Sequence, residues 1–315
     1  MGTREILLAT IVPGFAAAVI GLIGWWLLAR KQQLNASGGD HGATSMELPI
    51  GARIIGPLVI AAATLLGAYA WQTSLEIWPR SATQRFPVIA LAAGAAGLLA
   101  ALVPSGLRIV TSSVFGGAAG AFGAWVFLGV LQEPIITDAE RLQWVGYIGF
   151  RVAVLAAVLE VALRVLPGVR GPLAIWAVVG TIALGLTQGW ANAPLVLGPV
   201  AWATLGLGLL GVLVGPRNVL AGSGTTIAVM LGSAATFSNW FGDTERWPML
   251  VVLLDAPLLL GVAALPWFAS RAAWIRLLVA VAAPLLLAGV QAGIAVPGLI
   301  AATTASDDDA YDYGY

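Results

Sequence analysis

The chain has 315 residues, 59% of them hydrophobic and 10% charged, and its fifteen basic and fifteen acidic side chains cancel. Soluble domains carry roughly 25% charged residues, so this composition, with a mean hydropathy of +0.92, points to an integral membrane protein. Zero net charge without a Lys/Arg cluster excludes a nucleic-acid binder, and the absence of cysteine excludes disulfides, thiolate metal sites and thiol catalysis.

The one histidine, His41, falls in a Gly/Ser-rich stretch. Haem and His-rich metal centres need ring nitrogens inside the helices, so neither a cofactor nor a metal is expected. A membrane-spanning helix needs about 20 mostly apolar residues. On that basis the sequence predicts ten, over 6–28, 54–72, 87–103, 109–131, 142–166, 172–190, 194–214, 219–240, 248–269 and 274–295. The stretch 87–103 is short enough to be partly interfacial. The first apolar run, Ile6 to Leu28, exceeds the roughly 7–15 residues of a signal-peptide core and reads as a retained helix. Pro and Gly mark most joins, as in Pro104-Ser105-Gly106 and Gly215-Pro216. The expected fold is therefore all-α and polytopic, a bundle of about ten transmembrane helices with short loops. A single domain covers 1–300, with a flexible loop at about 32–48, and an acidic, aromatic tail covers 301–315.

Basic residues set the orientation of such a bundle. The side of the 29–53 loop holds nine: Arg30, Lys31, Arg53, Arg108, Arg164, Arg170, Arg217, Arg271 and Arg276. The other side holds five: Arg4, Arg80, Arg85, Arg141 and Arg246. The first side is expected to be cytoplasmic and both termini outside, in a cell (inner) membrane. Trp71, Trp78, Trp144, Trp190, Trp240 and Trp247 fall at the outer helix ends, and Trp25, Trp26, Trp176, Trp267 and Trp274 at the inner ones. That distribution matches the aromatic belt where amphipathic rings meet headgroups.

The stretch Leu142 to Pro167 carries Arg151, Glu160 and Arg164 inside an apolar span. A charge at the bilayer centre costs about 2.5–3.5 kcal/mol on insertion scales, so such groups pair or face a protein interior. This helix is the expected centre of the bundle. Arg151 lies seven residues past Trp144, and Asp255 seven past Pro248, so both sit about 10 Å below the outer surface. Matching depth and opposite sign predict an intramembrane pair, either a fixed packing contact or a charge relay beside the kink of Pro257. Glu160 and Arg164 are four apart in the favourable acid-first order and form a second expected pair.

Ala221-Gly222-Ser223-Gly224-Thr225-Thr226 opens the eighth predicted helix. Backbone N–H groups at such a start can cradle an anion, and small residues equally let helices approach closely. The sequence lacks the lysine of a P-loop. Gly116-xxx-Gly120 and Gly185-xxx-Gly189 fit close packing as well. The acids Glu133, Asp138 and Glu140 offer a weak divalent-cation signal.

Three function classes follow. The first is a transporter-like carrier of a small neutral or weakly charged solute, using the buried Arg151/Asp255 pair. The second is a non-catalytic subunit of a larger membrane complex. The third is a lipid-acting membrane enzyme, which lacks a recognisable catalytic constellation. The expected partners are the lipid bilayer and other membrane subunits or further copies of the chain; no nucleic acid is expected, and the sequence names no small-molecule substrate.

Overall fold

The computed structural model describes residues 3–36, 53–71, 82–131, 135–166, 170–187, 190, 192–214, 220, 222–242 and 275. Among them all regular structure is helical: α1 (Thr3–Ala36), α2 (Ile55–Trp71), α3 (Phe86–Leu102), α4 (Arg108–Leu128), α5 (Asp138–Val165), α6 (Arg170–Leu186), α7 (Ala193–Val214) and α8 (Ser223–Phe241). Eight of the ten predicted segments are thus helices. The other two, 248–269 and 274–295, fall outside the described residues apart from Ile275. Three stretches are long and apolar enough to cross a membrane, Thr83–Leu102, Arg108–Leu128 and Asp138–Arg164, and four shorter apolar helices accompany them.

The helix ends have local causes. α1 runs to Ala36, past its predicted end at Leu28, because Arg30-Lys31-Gln32-Gln33-Leu34 is a run of good helix formers. α3 is preceded by a buried 3₁₀ turn, Thr83–Arg85. The combined element reaches spanning length, which the apolar stretch 87–103 alone does not. α5 starts one turn earlier than predicted, in a capping box: the Thr137 hydroxyl accepts from the Glu140 N–H at 3.3 Å, and the Glu140 carboxylate accepts from the Thr137 N–H at 3.0 Å. Glu140 is therefore a cap, and Asp138 pairs with Arg141 at 2.8 Å.

One group of helices is formed by α1, α2, α6 and α7, another by α3, α4 and α5, and α8 packs against all of α2 to α7. Every residue of α8 from Ser223 to Asn239 is buried. The centre of the described bundle is therefore α8 and not, as expected from its charges, α5. On α5, Leu142, Phe150 and Val154 are exposed, so one flank of that helix faces outward. The reason is compositional. α8 is rich in Gly, Ala, Ser and Thr, and small side chains let neighbours close in from all sides.

The seams follow the same rule. α4 and α5 run antiparallel, with Gly116 against Ala156, Gly117 against Ala153 and Gly149 against Ala121. Val152 of α5 fits between two glycines, since a Cβ on Gly120 of α4 or on Gly232 of α8 would lie 2.6 Å or 2.2 Å from it. On the other side, Gly14 and Gly206 seat α1 against α7 at Trp202 and Ala18.

The C-terminal end of α8 is closed by aromatic rings. Phe86 stacks on Trp190 at 5.2 Å between centroids, and Phe127 and Phe237 meet edge-on at 5.4 Å. Trp190 is only 8% exposed, so it is a core residue and not the headgroup anchor its position suggested. Arg85, also buried, donates to the Val126 carbonyl; it satisfies a C-terminal carbonyl of α4, where a cation also suits the helix dipole.

Candidate functional site: the carboxylate at the start of α8

Glu160 is 1% exposed, on the inward face of α5. Its Oε1 lies 4.0 Å from the Arg108 guanidinium of α4, and its Oε2 accepts from the Gly222 N–H at 3.2 Å. Gly222 precedes the first turn of α8 with a φ of +80°, a left-handed conformation that glycine adopts without Cβ strain. A Cβ there would also lie 2.6 Å from Ala101 Cβ. Gly224 brings α8 against the α5 backbone, since a Cβ on it would fall 2.9 Å from the Glu160 nitrogen. Two sequence features proposed separately, the acid of α5 and the Gly-rich start over Gly222, Ser223, Gly224 and Thr225, thus meet in one place. The anion that this helix start receives is the protein's own carboxylate. An N–H at a helix N-terminus and a guanidinium both favour negative charge.

Three hydroxyls share this neighbourhood. Arg108, Ser112 and Gly116 follow one another at four-residue intervals along α4, so they form one stripe. Arg108 reaches Glu160, while Gly116 abuts Ala156 and Thr225. Ser112 lies between them on that stripe. Ser112, Ser223 and Thr225 are fully buried, and their hydroxyl oxygens have no hydrogen-bond partner among the described residues. Farther along α8, the Ser233 Oγ against Gly123 and the Asn239 Oδ1 are in the same state. Other α8 hydroxyls are satisfied by backbone: Thr226 donates to the Ala93 carbonyl at 3.2 Å and Thr236 to Gly232 at 2.7 Å.

The predicted pairs distribute as follows. Arg164, one turn beyond Glu160, donates to the Ser105 carbonyl in the exposed α3–α4 loop. It acts on the Glu160 carboxylate electrostatically, and the ion pair at Glu160 is with Arg108 at 4.0 Å, a residue whose place in the sequence bears on topology alone. The signal for it was available: Arg108 opens a helix whose small residues seat α5. Arg151 donates to the Tyr147 hydroxyl, and its guanidinium carbon lies 4.1 Å from that ring's centroid, a cation–π geometry. Asp255, its expected partner, lies outside the described residues.

No protein-family model, curated protein or solved structure matches this chain.

Proposed function

We propose that this chain is a multi-pass carrier of a small polar solute, neutral or weakly charged, whose path follows the α4–α8 seam. The reading takes the bundle as about ten transmembrane helices in a cell inner membrane, with both termini outside. The observation that carries it is the run of polar atoms without a partner among the described residues on a buried helix: Ser223 Oγ, Thr225 Oγ1, Ser233 Oγ and Asn239 Oδ1, with Ser112 Oγ on the α4 stripe that holds Arg108 and Gly116. Each buried polar group left without a partner costs about 1–3 kcal/mol. A dry structural core would replace such groups with alanine or valine at little loss. Their retention along the axis is supported by a polar visitor that supplies the missing hydrogen bonds. The Arg151/Asp255 pair belongs to this reading as a second charged element nearer the opposite end.

The subunit reading keeps one observation in its favour, the complete enclosure of α8 by its neighbours. Uptake by proteoliposomes of isotopically labelled glycerol, urea and glycine separates the two. A carrier gives saturable uptake of at least one of them, lowered about three- to tenfold by T225V or S233A, the effect of a lost hydrogen bond. Uptake equal to that of protein-free liposomes, with a second membrane protein co-purifying in fixed ratio, would reject the carrier.

A further inference from the structure

We infer that Glu160 is a reversible proton-binding site, loaded from the end of the bundle that holds the α8 N-terminus. The inference starts from a mismatch of partners. A carboxylate has about four acceptor positions, and here it is held by one guanidinium at 4.0 Å and one N–H at 3.2 Å. The charged side chains that face it among the described residues are Arg108 from α4 and Arg164 from its own helix. The first turn of α8 brings N–H groups and hydroxyls, and α3 brings Ala101 beside Gly222.

Arginine and backbone N–H groups can only donate, so they suit the ionised form alone. The hydroxyls of Ser112, Ser223 and Thr225 both donate and accept. None of the three bonds to the carboxylate among the described residues, so its remaining acceptor positions are unfilled and a proton relieves the buried charge. A fully compensated static ion pair would fill those positions; a carboxylate buried to 1% exposure and held only by one N–H and one guanidinium at 4.0 Å is thinly compensated, and such a group takes up a proton instead. Access is short. Arg164, itself partly exposed, lies one turn from Glu160, roughly 6 Å along α5, and is tied to Ser105 in the exposed loop Pro104–Leu107. The step balances simply: hydronium gives its proton to a Glu160 oxygen, leaving water and a neutral carboxyl, and the reverse step returns the proton. With the charge gone, the attraction to Arg108 and to the α8 N-terminus falls, and the helix start is freed to move. Use of this proton as the coupling ion rests on the carrier reading; the proton site itself does not.

The test is infrared difference spectroscopy of the full-length protein in lipid nanodiscs during a pH titration. A protonated-carboxyl C=O band should grow on acidification and vanish in E160Q. If E160Q fails to fold, E160D should retain a band with a displaced midpoint. Identical difference spectra for the wild type and E160Q, or an unmoved band and midpoint in E160D, would overturn the assignment. Labelled-solute uptake on the same preparation keeps the two proposals apart. A titrating Glu160 band without uptake sinks the carrier and spares the proton site; uptake without the band does the reverse.

Discussion

Glu160 and Arg108 show how a burial cost decides the arrangement of single residues. Neither charge is stable alone in the bundle interior. Removing one partner of a buried pair costs about 3–5 kcal/mol, because the survivor keeps its desolvation penalty, whereas removing both often costs little. R108A should therefore be more damaging than the R108A/E160Q double variant, by detergent-solubilised yield and thermal unfolding. Equal loss from both would mean that the 4.0 Å contact carries no coupling. The same logic applies to the proposed pair of Arg151 and Asp255. R151A alone should lower thermal stability more than R151A/D255A, and equal damage would remove that pairing. Both variants also lose the contact between the guanidinium and the Tyr147 ring; Y147L measures that part separately.

At the scale of elements, the close seams rest on missing side chains. Val152 occupies the space left by Gly120 and Gly232, and overpacking such a site costs about 1–3 kcal/mol. G120A should lower the unfolding midpoint, and V152A should restore part of it when combined with G120A. Additive losses in the double variant would mean that α4 and α5 do not meet there. Much of this level was legible in the sequence. Apolar length located eight helices, and Gly116-xxx-Gly120 marked a seam. Two things were not legible. Which helix is central depends on how small residues from several segments add up in space, so the small-residue composition of α8 decides it and the charges of α5 do not. The partner of Glu160 was hidden because hydrogen-bond and ion-pair geometry across helices leaves no spacing in the chain: Arg108 is far from Glu160 in sequence, while Arg164, four residues on, satisfied the local rule. Trp190 was misplaced for a related reason. A tryptophan at a helix end suits a headgroup belt, and only the stacked ring of Phe86 marks it as core.

For the whole molecule, the features form one axis. α8 begins at a buried carboxylate, continues past hydroxyls that lack partners among the described residues, and ends under stacked aromatic rings. Around it stand helices whose outward faces carry Leu91, Val110, Val114 and Phe150, all well exposed, as a lipid-facing perimeter would. The natural absence of cysteine makes this arrangement open to a direct measurement. T225C and S233C, each a unique thiol, would be treated in native membranes with a small water-soluble thiol reagent, beside L91C and V114C on the perimeter. Thiols react as thiolates, which form where water reaches and not in hydrocarbon. Modification of T225C and S233C with inert L91C and V114C is the expected result. Inert α8 positions beside reactive perimeter positions would contradict a polar axis inside a membrane bundle.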